Sequence, residues 1–218
     1  MFEKLSDVFT AIEDEEYVIL RNYEEFDNLG FLTCHPDIDI LCRNREVLVE
    51  KLSLESRRKK EDGIHYKLSV AGAKVAVDLR CVGDGYLDTT WEDNILNNRV
   101  KRQNYYVMDE ENYFYSLLYH VIIQKDTVAE DYVKRLQSMS EEASISYSFE
   151  NKEDVLNSYM TDKGYIYCYP EFLGTIFHME RVDQRLVEKN VVKEWKRKVY
   201  ALYRSMGKRV KTGVVKNG

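Results

Sequence analysis

Two prolines in 218 residues leave little to punctuate this chain, and no Pro- or Gly-rich linker marks a domain boundary. The cysteines are equally sparse. Cys34, Cys42, Cys81 and Cys168 include no C-x-x-C pair and have hydrophobic or strand-like neighbours, which argues for free structural thiols and against a disulfide framework or a zinc site. No run approaches about eighteen apolar residues, and the opening MFEKLSDVF lacks a signal-peptide core, so a cytoplasmic protein is expected. A glycine-rich phosphate loop is missing too, because Gly83-Asp84-Gly85-Tyr86 has neither the longer glycine spacing nor a lysine and reads as a tight turn. Positive charge is not in excess: a net charge of -6 argues against a general polyanion binder. Small substrates or a protein partner fit better than nucleic acid.

What the chain does have is a set of acids inside β-rich runs. In HPDIDILC, His35 to Cys42, Asp37 and Asp39 alternate with Ile38 and Ile40. A strand has a period of two, so both carboxylates share one face, roughly 7 Å apart, and the aliphatic residues share the other. The run KVAVDLR repeats the pattern with Asp78, which an adjacent strand would bring alongside. Burying like charges is costly unless something positive lies between them, and a divalent metal is the simplest candidate. Three carboxylates are hard oxygen ligands suited to Mg²⁺ or Mn²⁺. Solvated acids on exposed strand faces are the alternative.

The surrounding chain can be read around these strands. Phe2 to Ile12 has helical spacing, and Tyr17 to Leu20 is a short strand that would deliver Arg21 and Asn22 to the site. Arg21 offers a planar fork matched to phosphate, or serves as an ion-pair partner for Glu24 or Glu25. His35 lies in a loop, where it touches a ligand or is a plain loop histidine. Residues 43–60 suggest an amphipathic crossover helix, and Ile64 to Leu79 a hairpin about Ala71-Gly72. Arg80, directly after the acid strand, holds a phosphate or is structural. Asp109 to Lys125 is apolar nearly all round, with acids at its start and a lysine at its end as the helix dipole favours. Two further helices are expected near Val128 to Met139 and Glu153 to Met160. The tyrosines from Tyr165 form a short strand or line a loop, and either stack a base or sugar or pack a domain seam. Residues 193–211 read as a basic amphipathic helix that is a solvated terminal helix or contacts an anionic membrane, an acidic partner or the protein's own acidic surface, and residues 213–218 should be disordered.

DIDIL followed by VDLR resembles the acidic signature of the nucleotidyltransferase superfamily related to DNA polymerase β, in its minimal, small-substrate form. The resemblance covers about residues 10 to 125. Members usually carry a Gly-Ser pair after the preceding strand; here Arg21 and Asn22 stand in its place. That departure is similar to a divergent bacterial branch with an LR-x-Y-E segment before the acids, often associated with cell-envelope polysaccharide genes or fused to kinase-like domains.

The resemblance implies an α/β nucleotidyltransferase-like domain with a mixed sheet flanked by helices over residues 1–125; the residue pattern then gives a mainly helical region with a basic tail over 126–218. It implies that Asp37, Asp39 and Asp78 hold Mg²⁺ or Mn²⁺ and a nucleoside triphosphate. Arg21, Asn22 and Arg80 would then neutralise its phosphates, and His120 or Lys125 would face the nucleotide, the alternative being a satisfied core histidine and a capping lysine. The implied activity is transfer of a nucleoside monophosphate to an acceptor, most simply a small molecule. An inactive nucleotide-binding or interaction module of the same fold, and nucleotidylation of a protein or RNA, are the alternatives.

Overall fold

The computed structural model describes residues 2–26, 31–33, 36–59, 62–174 and 177–213, the side chains of 201 and 204–213 excepted. His35 and the tail after Gly213 lie outside the described residues. Strands β1 (Tyr17–Ile19), β2 (Asp37–Cys42), β3 (Glu55–Ser56), β4 (His65–Val70), β5 (Ala73–Cys81), β6 (Val100–Arg102) and β7 (Tyr105–Val107) form one sheet in the order β3-β4-β5-β2-β1-β7-β6. β2 runs parallel to β5 and β1 to β7, while the other neighbours are antiparallel, so the sheet is mixed.

The alternation in the two acid strands does what its period requires. Ile38 and Ile40 of β2, with Val77 and Leu79 of β5, are buried on one face. Their register puts Asp39 directly beside Asp78 on the other face. The hairpin that presents β5 turns on Ala71 (φ 50°) and Gly72 (φ 80°). Two successive positive φ values match the right-handed twist of paired strands, and this two-residue turn fixes His65 opposite Asp78 five steps out.

Helices α1 (Leu5–Thr10), α2 (Arg45–Lys51), α3 (Thr89–Asn97), α4 (Glu110–Tyr119), α5 (Glu130–Glu142), α6 (Lys152–Lys163) and α7 (Val191–Gly213) accompany the sheet. α4 is the most deeply buried, as its all-round apolar character requires: Phe114, Leu117, Leu118 and Tyr119 are fully enclosed. Asp109 caps it by accepting from the Asn112 N–H at 2.9 Å. At its far end the helix widens into a π-turn over His120–Gln124, which carries His120 and Gln124 toward the acid face.

One local expectation needs correction. The crossover helix is shorter than residues 43–60, because Ser53 turns the chain at φ 50° and β3 follows. A second hairpin, β6 to β7, adds to β1; its three-residue arms are too short to show a period. The tyrosines near 165 follow the packing reading: Tyr165 stacks on Trp91 at 5.5 Å, and Tyr167 is fully buried. No helix among the described residues is long and apolar enough to cross a membrane.

Candidate functional site

The paired acids open onto a cavity of about 500 Å³. Asp39, Asp78, Arg21, Arg80 and His120, all singled out from the sequence, line it. Arg58, His65, Tyr86, Gln124, Phe172 and Tyr200 complete much of the wall. Asp37 stands two residues out on β2, at the exposed end of the strand, and is not part of that wall. Its carboxyl is nonetheless pushed up to about 6, first by partial desolvation and then by the negative charges of Asp39 and Asp78. Asp78 is raised as well, by burial and by Asp39, with His65, Arg80 and Arg57 working the other way. The three acids therefore form one electrostatic group.

Asp39 already has a cation. Arg21 Nη2 and Nε approach its Oδ2 at 2.8 and 3.1 Å, and both side chains are largely buried. The partner of Arg21 is thus a site acid and neither Glu24 nor Glu25; Glu24 instead accepts from the Tyr113 hydroxyl at 2.8 Å. Burial opposes the Arg21 charge, but Asp39 and Tyr86 outweigh it and hold the guanidinium above its ordinary value. Asp78 is served less well. Its Oδ1 is buried with no hydrogen-bond partner, and Arg57 Nη1 lies 3.7 Å away.

Tyr86 ties the cations together. Its hydroxyl accepts from Arg21 Nη1 at 2.5 Å and donates to Gln124 Oε1 at 3.2 Å, while the Arg80 guanidinium sits 4.5 Å from its ring centroid. His120 Nδ1 meets the same Gln124 oxygen at 2.7 Å. Burial first, then the charges of Arg21 and Lys125, push His120 well below the ordinary histidine range, so the ring is neutral. Donation from Nδ1–H to Gln124 then leaves Nε2 as an acceptor.

Asn22 and Lys125 are not brought into this cavity. Asn22 occupies a left-handed turn (φ 60°), and its Oδ1 accepts from Arg135 at 3.1 Å. The Lys125 ammonium lies 5.6 Å from the Tyr132 ring centroid, one aromatic ring away from His120. Of the wall residues missed in the sequence, His65 was recoverable by counting out from the Ala71-Gly72 turn. Gln124 was recoverable too, as the i+4 neighbour of His120 on a helix. Tyr86, Phe172 and Tyr200 arrive from turns and a distant helix and carry no periodic signal.

Glu92 holds the turn that presents Tyr86. It is fully buried, accepting from the Gly83 N–H at 2.8 Å and the Leu87 N–H at 3.1 Å. Burial pushes it up to about 8, against the pull of those two donors and with Asp84 and Asp88 adding to the rise. A folded value above the unfolded 4.5 means the unfolded chain releases this proton first as pH rises. The stability this group contributes is complete below about pH 4.5 and lost by about pH 8. Glu92→Gln should abolish that component, so wild type minus variant stability should fall across this window. The variant should also lose about 1–3 kcal/mol at low pH, because one backbone N–H loses its acceptor. Urea unfolding at several pH values checks both; a constant difference would contradict the assignment.

Among the described residues, no group of three or more His, Cys, Asp or Glu side chains converges closely enough to enclose a metal ion. The donor chemistry still suits a hard divalent cation: all-carboxylate oxygen, mutual repulsion, and one buried carboxylate oxygen without a hydrogen-bond partner. No protein-family model matches this chain, and no curated protein does. Among solved structures, the crystal structure of JHP933 from Helicobacter pylori is similar at 10% identity, covering 72% of this chain and 71% of that one, with a TM-score of 0.44.

Proposed function

We propose that this protein is a metal-dependent nucleotidyltransferase that moves a nucleoside monophosphate from a triphosphate to a hydroxyl or phosphate acceptor, most simply a small molecule linked to cell-envelope polysaccharide. The observation that carries the reading is the side-by-side pairing of Asp39 with Asp78 in a cavity that also holds Arg21, Arg80 and Arg58. Carboxylates alone would repel a triphosphate and guanidinium groups alone would not bind a metal. Together they fit a metal-bound polyphosphate.

Asp39 and Asp78, with Asp37 beside them, would hold Mg²⁺ or Mn²⁺, which when bound supplies positive charge to the phosphate oxygens. Arg80, steadied on the Tyr86 ring, and Arg58 neutralise the outer phosphates. Arg21 exchanges part of its hold on Asp39 for a phosphate oxygen. The acceptor oxygen bonds to the α-phosphorus, the bond to the β-phosphate bridging oxygen breaks, and pyrophosphate leaves. The acceptor hydroxyl proton passes to Asp78, whose carboxylate lines the same cavity. Neutral His120, through Nε2, can accept from a sugar hydroxyl or base N–H. The acidic character of the chain favours a small acceptor over nucleic acid.

The experiment follows an α-labelled nucleoside triphosphate incubated with Mg²⁺ and cell-derived small molecules. The expected result is label on a small molecule with stoichiometric pyrophosphate. Full activity in an Asp37→Ala, Asp39→Ala double variant would overturn the mechanism. Label on a protein or RNA would move the reading to macromolecular nucleotidylation. A second reading, a binding module without transfer, is favoured by one observation: Asp39 is already neutralised by Arg21. Metal-dependent nucleotide binding with no pyrophosphate from any acceptor mixture would select it.

A further inference from the structure

α7 is turned the wrong way round for a helix packed on a soluble domain. Exposed large hydrophobic side chains are few elsewhere among the described residues, but α7 has Val191, Val192, Trp195, Val199, Leu202 and Tyr203, with Trp195 64% exposed. At about 100° per residue these six fall within an arc of about 120°. The opposite side of the helix faces the body: Arg197 donates to the carbonyls of Pro170 and Phe172 at 2.7 and 3.1 Å, and Tyr200 lines the cavity of the paired acids. The helix is thus held down by its polar side and shows its apolar side outward. An apolar ridge of this kind marks an interaction surface.

The charge pattern says what covers it. From 191 to 213, lysines and arginines outnumber acids eight to one, in a chain whose net charge is -6. Exposed Lys196 and Lys198 border the apolar arc on either side, and Glu194, the one acid of the helix, is neutralised by Lys198. A second copy of the helix would bring lysine against lysine along both edges of the ridge, which disfavours self-pairing. The acidic remainder of the chain would be repelled by an anionic surface, so such a surface would be approached with this helix foremost. Bulky aliphatic residues and a tryptophan between flanking lysines match a helix lying in the headgroup region of a bilayer.

We propose that the outer face of α7 docks on an anionic lipid surface. Trp195 and Val199 insert among the upper acyl chains, and Lys196 and Lys198 meet the headgroup phosphates. Because Tyr200 on the inner side of the same helix lines the cavity, docking places the site beside the membrane. This inference does not depend on the reaction carried out there.

The two tryptophans make the test direct, since Trp91 is fully buried and Trp195 is not. The intact protein is titrated with vesicles of phosphatidylcholine alone or with 30 mol% (about one lipid in three) phosphatidylglycerol, following tryptophan emission and sedimentation. A blue shift and co-sedimentation at least about tenfold stronger with the anionic vesicles are expected, falling as salt is raised. Val199→Glu and, separately, Lys196→Glu with Lys198→Glu should each reduce binding by about tenfold or more. All three positions point away from the body, and circular dichroism verifies the fold. Equal binding to both vesicle types, no binding to either, or unchanged binding by Val199→Glu would overturn the proposal. So would a blue shift without lipid accompanied by dimerisation, or equal affinity for polyglutamate, which would assign the face to a second copy or to an acidic protein.

Discussion

Asp78→Asn should lower nucleotidyl transfer by at least about 10²-fold while leaving the fold equally or more stable. The two effects have one cause. Asp78 is a half-buried carboxylate beside Asp39 whose Oδ1 has no hydrogen-bond partner and only a distant cation in Arg57, and its raised proton affinity means its negative charge is disfavoured in the folded state. A neutral isostere relieves that repulsion and desolvation, so the melting temperature of the metal-free variant at pH 7 should equal or exceed that of wild type. Activity falls because the amide is a poorer cation ligand and cannot take the acceptor proton. Such a trade of stability for function marks a working site, whereas a structural acid would lose stability when replaced. Steady-state transfer and thermal melts on the same samples check the pair of outcomes. A lower melting temperature with unchanged activity would assign Asp78 to structure.

Arg21→Leu should do the reverse, destabilising the protein by about 3–5 kcal/mol, because it leaves Asp39 buried without its cation. It also removes the donor to Tyr86, loosening the link to Gln124 and His120. The double variant Arg21→Leu, Asp39→Leu should recover most of the loss, since removing both charges leaves none uncompensated. In the single variant, Mg²⁺ with nucleotide should restore more stability than it adds to wild type, because the cation takes over the role Arg21 vacated. Denaturant titrations with and without Mg²⁺-nucleotide measure the cycle. Equal destabilisation in the single and double variants would mean the ion pair contributes nothing specific.

Why part of this site could be read from the chain alone follows from strand geometry. DIDIL and VAVDLR are β-branched runs with acids at even spacing, and a period of two has only one way to place them once the aliphatic face is buried. The pairing of Asp39 with Asp78 needed the further fact that β2 and β5 are neighbours, which short-range pattern does not contain. His65 was within reach because a two-residue turn sets the register of every later pair. Arg21 was foreseen at the site but as a phosphate ligand; that it closes on Asp39 depends on the strand order, with β1 beside β2. Asn22 and Lys125 differ in kind: each is adjacent in sequence to a residue near the cavity, but a left-handed turn and the end of the π-turn send their side chains elsewhere.

The two segments read as separate regions also share one wall. Phe172 and Tyr200, from the C-terminal part, line the same cavity as Asp39 and Asp78. Nothing in a loop at 172 or a helix at 200 announces that, because the docking of α7 rests on backbone carbonyls that accept from Arg197 rather than on a hydrophobic stripe. The stripe on α7 points the other way, so its periodicity reports an exposed face and not the packing of the chain on itself.

The central claim, a metal-nucleotide site on the acid face of β2 and β5, is tested most directly by thermal shift. The four nucleoside triphosphates are compared with and without Mg²⁺, on wild type and on Asp39→Asn. A ligand that binds only the folded state must raise its midpoint. The account predicts a shift that requires Mg²⁺, is largest for one base and disappears in Asp39→Asn. No shift with any nucleotide, or a shift that is independent of Mg²⁺ and survives in Asp39→Asn, would contradict it.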